Sequence, residues 1–311
     1  MTGMIGKFRA AVWQALAHDI VNTAKAAAYS GMLMIFPALL VVTTLVAQIQ
    51  ERPTLVGELR ALFEQFLPTD TLDLLQSYVL SSRIHSTEVI FSATCVSIFA
   101  GLGVMLSLME GFRRAYRLPP ESWNFWERRI RALLLVPIVL IPLSVATVVI
   151  VFGHQIELSM IETAGHELRH MVLLFWRMVR LSIAVITSMV VLTVLYHFGA
   201  KRTERWIKAA PGAIAGTLIW FPATLVFGWW VTRDVNYSRF YGSFAAGIAT
   251  LVWLYITAFS VLLGAELNGL LYADRQKLRS ASAEIPAASQ SDLVASAPSG
   301  RGPGIFDYFR R

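Results

Sequence analysis

The stretch from Pro211 to Thr232 limits what this chain can become more than any other, because its twenty-two residues, PGAIAGTLIWFPATLVFGWWVT, carry no charge. In a helix rising ~1.5 Å per residue the run is about 33 Å long, enough to cross a hydrocarbon core of roughly 30 Å. Backbone amides and carbonyls find no water inside a bilayer, and a helix satisfies them internally. A second apolar run, Ser243 to Ala265, follows a polar connection of ten residues, RDVNYSRFYG, and ends at Glu266 and Asn268. So short a connection sets the two spans antiparallel, as a transmembrane helical hairpin.

In and around this hairpin stand Pro211-Gly212, Trp220, the pair Asn236 and Tyr237, Tyr241-Gly242, Trp253 and the run Gly264-Ala265-Glu266-Leu267-Asn268. The set resembles the signature of the YihY/BrkB family of bacterial inner-membrane proteins, which once carried a ribonuclease BN label. Similarity extends to Tyr29–Leu40, with Phe36-Pro37, and to Phe125-Trp126 through Leu135, so it covers most of residues 20 to 275. What the resemblance implies is an architecture and a location rather than a reaction.

Composition agrees with a membrane class. Of the 311 residues 56% are hydrophobic and 15% charged, well below the roughly one-quarter charged content of soluble domains. The single cysteine, Cys95, sits in an apolar run, so neither a disulfide framework nor a cysteine zinc site can be built from it. We expect no cofactor. The net charge of +7 raises the question of nucleic acid, but the placement of the basic residues answers it without such a partner.

In chain order, residues 1–25 place Ile5, Phe8, Val12, Leu16 and Ile20 at three- and four-residue spacings. This predicts an amphipathic helix that lies on a membrane surface or packs on the protein's own cytoplasmic face. No cleavable signal is expected. A first span runs from about Ala26 to Ala47 with Pro37 inside it, and residues 49–87 read as two interfacial helices. Val89 to Met109, with Ala100, Gly101 and Gly103, reads as an interior helix, since small residues let helices approach closely in lipid. Then comes a loop with Arg113, Arg114, Arg117, Arg128, Arg129 and Arg131 interleaved with Trp123, Phe125 and Trp126, the composition of a headgroup belt. A third span, Ala132 to Gly153, carries Pro137 and Pro142, a fourth ends near Gly199, and a second basic loop leads into the hairpin.

Placing the N-terminus, the two basic loops and the tail on one side gathers 19 of the 27 Lys and Arg there. The positive-inside bias then gives six spans with both termini cytoplasmic. The expected organisation is all-α and polytopic: an amphipathic helix over 1–25, a six-helix membrane domain over 26–275, and a disordered tail over 276–311, where Ser, Ala, Pro and Gly offer little apolar surface to bury.

Three groups of residues carry functional expectations. His166-Glu167-Leu168-Arg169-His170 satisfies H-E-x-x-H, which on a helix would present two metal-ligating histidines with Glu167 as base. A third ligand is not in evidence and a solvated amphipathic face accounts for the same pattern, so His166 and His170 are expected to hold no metal. Glu266 needs water, a proton or a cation near the end of its span, and the cytoplasmic arginines are its expected partners, as a structural ion pair or a coupling group. Arg177 and Arg180, one turn apart near the outer boundary of the fourth span, suit a phosphate through their guanidinium forks, or else snorkel to headgroups. With Asn268 and the signature residues Asn236, Tyr237 and Tyr241, these make up the candidate substrate-binding positions. Gly212 and Gly216 form a GxxxG pair that favours close packing within one chain or between two.

Together these features predict an inner-membrane protein that transports or handles an amphiphilic anionic substrate such as a lipid, not an enzyme. The alternatives are a scaffold that recruits envelope partners and, further off, a membrane metalloprotease. Membrane lipids are the expected partners, with a homo-oligomer or envelope proteins also open, and nucleic acid is not expected.

Overall fold

The computed structural model describes residues 4–48, 87–119, 123–163, 169–201, 205–233 and 244–283. Within them lie α1 (Met4–Ala17), α2 (Ile20–Gln48), α3 (Thr87–Ala115), α4 (Phe125–Thr163), α5 (Arg169–Phe198), a 3-10 turn (Trp206–Ala209), α6 (Ala210–Arg233) and α7 (Ala245–Ala283). Among the described residues there is no strand. The chain divides into two compact units, 1–270 and 271–311, and of the second only the last turns of α7 are described.

Among the described residues six helices are long and apolar enough to cross a membrane, over Ile20–Val41, Ile90–Ala115, Phe125–Ala146, Leu173–Phe198, Trp206–Val231 and Ala245–Ser280. The all-α, six-span expectation is met. The expected interfacial helices over 49–87 lie outside the described residues but for the start of α3. Pro37, Pro137, Pro142 and Pro222 all sit inside helices that continue through them. At the C-terminus α7 runs on to Ala283, into the stretch from 276 expected to lack structure. Gln, Lys, Leu, Arg and Ala there are good helix formers, so a helix already nucleated in the membrane propagates through them.

α7 touches α2, α3, α5 and α6, and Val261 to Gly269 is buried without a break. α2 packs along α3, α3 against α4, α4 against α5, and α5 against α6. The expected interior helix was α3, yet Phe91 and Phe99 on it are more than 70% exposed, whereas α7 has the largest buried share of the six spans. Small residues in α3 mark its contacts with neighbouring helices: Gly101 faces Met34 and Val136. Gly111 faces Leu262 and Thr23, and Gly103 faces Ser30.

Burial concentrates at one end of the bundle. Phe112, Ala132, Leu135, Tyr196, Ala213 and Leu262 are all nearly inaccessible. They come from the end of α3, the start of α4, the end of α5, the start of α6 and the latter half of α7, so consecutive spans run antiparallel and this end joins the two basic loops. α1 belongs to the same end. Its Ala11 and Ala15 are buried, while Trp13 is 75% and Leu16 57% exposed. The helix rests on the protein through its small residues and turns its large apolar ones outward.

Candidate functional site

The hairpin of α6 and α7 is fastened at the start of α6 by Asn268, and further along by the Trp220 indole, which donates to the Thr257 hydroxyl at 3.0 Å. Asn268 accepts a hydrogen bond from the Gly212 amide at 2.8 Å and donates to the Ala209 carbonyl, also at 2.8 Å. The need arises locally. α6 begins at Ala210, so Gly212 N–H is one of the first-turn amides without an intrahelical acceptor, while Pro211 has no N–H to satisfy. An amide side chain offers an acceptor and a donor on two neighbouring atoms, which is what the carbonyl of a closing 3-10 turn and the amide of an opening α-helix require. The contact is possible because Gly212 and Gly264 carry no side chains: a Cβ on either would run into the backbone of the other. The GxxxG pair of α6 therefore serves packing inside this chain.

One turn further along, the Tyr196 hydroxyl of α5 donates to the Val261 carbonyl at 2.6 Å and lies against Gly216 and Gly264. Its ring meets Phe112 of α3 edge to face, with centroids 5.3 Å apart. Four helices are thus joined within a few residues of Glu266.

Glu266 is fully buried. Its Oε1 lies 2.8 Å from Nδ1 of His18, while Oε2, equally buried, has no hydrogen-bond partner among the described residues. An ionised carboxylate only accepts, so the imidazole ring donates whenever Glu266 carries its charge. The expected arginine partner is corrected: the direct contact is a histidine from the far end of the sequence, and Arg117 acts on the carboxylate only through its charge.

The backbone at both partners is unusual. Asp19 adopts φ 58°, in the left-handed region, and so ends α1 and turns the chain into α2. Its carbonyl accepts from the Thr23 amide and hydroxyl at 3.2 and 3.1 Å, which starts the new helix. This bend holds His18, one quarter exposed, over the buried carboxylate. Arg117 has φ 54° at the end of α3, where its amide donates to Arg114 O at 3.0 Å and the Leu118 amide to Arg113 O at 2.9 Å. That is a Schellman closure with arginine at the position glycine usually fills. A non-glycine residue held there costs of order 1 kcal/mol, a strain found where the side chain has a use.

The remaining expected positions are dispersed. Arg177 is exposed and Arg180 half-exposed on α5. Arg180 precedes Tyr196 by sixteen residues, or about 24 Å of helix, so the pair stands well away from Glu266 and Asn268. Asn236, Tyr237, Tyr241, His166 and Glu167 lie outside the described residues, and His170 falls in the first turn of α5. Among the described residues no three His, Cys, Asp or Glu side chains form a group able to hold a metal ion.

Chemically, the centre is a carboxylate with one oxygen bound and the other buried without a partner among the described residues, in contact with a partly exposed imidazole. It can take up or release a proton, or accept a cation, without disturbing Asn268 one turn-half away.

A family model described as virulence factor BrkB matches residues 11–289. Among similar proteins is the ribonuclease-like protein YfkH of Bacillus subtilis, 24% identical over 84% of this chain and 93% of its own length. UPF0761 membrane proteins of Aromatoleum aromaticum and Rhodospirillum rubrum are 26% and 24% identical over 82% and 84% of this chain. The matches span only 61% and 58% of those two relatives. No solved structure matches the chain.

Proposed function

Because the chain belongs to the virulence factor BrkB family of membrane proteins, we propose that it moves an amphiphilic anionic substrate, such as a lipid, in a bacterial inner membrane, with Glu266 and His18 coupling that movement to a proton. The observation that supports this reading most is the fully buried carboxylate whose Oε2 has no partner among the described residues, beside a partly exposed imidazole. A carboxylate inside a membrane span is expensive to keep, and a purely structural pair would be expected to satisfy both oxygens. The basic end of the bundle faces the cytoplasm, by the positive-inside bias, with both termini on that side. Arg177 and Arg180, toward the opposite end, would meet the anionic group there.

The role is not enzymatic in this reading. The ribonuclease-like name belongs to the relative that carries it, and a carboxylate with one histidine is a proton acceptor rather than a nuclease centre.

Purified protein in liposomes containing a tail-labelled fluorescent phosphatidylglycerol tests the proposal, with transfer between leaflets followed by adding a membrane-impermeant quencher. Wild type should transfer the lipid faster than protein-free liposomes, and Glu266→Gln, which keeps the shape and removes the proton site, should not. Equal rates with and without wild-type protein would overturn the proposal in favour of a non-transporting scaffold.

A further inference from the structure

A second cluster, at the junction of α3 and α4, takes no part in the Glu266 centre. Glu110 accepts from three guanidiniums: Arg113 through Nη2 at 2.6 Å and Nε at 3.1 Å, Arg114 through Nε at 3.1 Å, and Arg128 through Nη2 at 3.2 Å. Arg113 and Arg128 also donate to the carbonyls of Leu118 and Leu106, at 3.1 and 3.2 Å. These bonds fix both planes. Close by, the Trp123 ring has the Arg131 guanidinium carbon 3.8 Å from its centroid and Lys201 Nζ at 5.6 Å.

Charge here is not balanced. Arg114 shares Asp19 at 3.6 Å and Arg131 pairs with Glu127 at 3.1 Å. Five cations, Arg113, Arg114, Arg128, Arg131 and Lys201, thus stand against three carboxylates, Asp19, Glu110 and Glu127, a net charge of +2. Among the described residues no carboxylate lies within ion-pair distance of Lys201.

Met109, Glu110, Arg113, Trp123 and Arg128 line a half-open cleft of about 30 Å³. That volume takes an oxygen or two of a phosphate, while the rest of the group stays at the mouth, beside Trp123. The fixed guanidiniums of Arg113 and Arg128 supply the charge-assisted donors such an oxygen accepts from. Phe125 and Trp126, next in the chain, are 62% and 72% exposed, and aromatic side chains turned outward at the end of a span mark the level of lipid headgroups.

We propose that the cleft between α3 and α4 binds the phosphate of an anionic membrane lipid, with Arg128 and Lys201 contributing the charge that neutral-headgroup lipids do not satisfy. A free phosphate shares the donor chemistry but gains nothing from the exposed aromatics or from the adjoining apolar spans. Phosphatidylcholine has the same phosphodiester but carries its own ammonium, so a net charge of +2 favours phosphatidylglycerol over it. The site does not rest on the transport reading: it would hold lipid in a protein that transports nothing.

Native mass spectrometry of the full-length protein in non-ionic detergent, titrated with phosphatidylglycerol or phosphatidylcholine, tests this. Wild type should retain phosphatidylglycerol preferentially, and Arg128→Gln with Lys201→Gln should lower that retention about tenfold while leaving phosphatidylcholine unchanged. Arg129→Gln removes a half-exposed cation stacked on Phe125, outside the cluster, and should retain the lipid as wild type does. If the double variant fails to fold, Lys201→Gln alone still reads the charge term, as a loss of about threefold. Undiminished phosphatidylglycerol retention in the folded variants would overturn the site. Preferential retention of inorganic phosphate, with no discrimination between the two lipids, would overturn the lipid assignment.

Discussion

At Arg117 two demands compete, and they can be separated. The backbone position favours glycine, because φ 54° brings a Cβ too close to its neighbouring carbonyl, while Glu266 favours a cation there. Arg117→Gly relieves a strain of about 1 kcal/mol but adds chain entropy to the unfolded state of similar size. Thermal stability should therefore hold at or slightly above the wild-type level while lipid transfer falls. A variant that transfers normally would show that the arginine merely tolerates its conformation. Glu266 and Asn268 were legible in the sequence as polar groups at the end of an apolar span, since hydropathy registers such a conflict directly. His18 was not. It lies 248 positions from Glu266, and no local pattern reports a contact of that separation.

Among the elements, α7 sets the geometry that others must match. Gly269 faces the backbone of Ala115, where α3 ends, and a Cβ there would collide with a carbonyl that has no rotamer to change. Gly269→Ala should destabilise the protein by about 2 kcal/mol or more, the usual cost of forcing volume into a packed contact. Gly228→Ala on α6 meets nothing within 4 Å and removes a flexible residue from a helix, so it should be neutral or stabilise by up to about 1 kcal/mol. Melting temperatures of the two variants check both; equal shifts would show that the α3–α7 contact is loose. The spans themselves could be read from length and apolarity, because those decide whether a segment enters a bilayer. Which side a span turns inward could not be. Lipid is as apolar as a leucine-rich core, so hydropathy lacks the inside-outside contrast that a soluble helix shows, and Phe99 of α3 sits outward as readily as inward.

At the scale of the whole molecule, one end gathers the bend at His18, the arginine-rich junction of α3 and α4, the Lys201 loop and the Asn268 bridge. Single cysteines placed at Gln14, Leu118 and Arg205, in protein whose Cys95 is replaced by serine, should resist a membrane-impermeant maleimide in intact cells and react after permeabilisation. Labelling of any of the three from outside would contradict the orientation. Within that end, the proposed coupling requires Glu266 and His18 to act as one unit rather than as two separate contributors. The direct measurement is a double-mutant cycle on lipid transfer in liposomes with His18→Ala and Glu266→Gln. Each single change should abolish most of the acceleration and the double should be no slower than either, as for groups that work together; single variants that transfer at the wild-type rate would contradict the account.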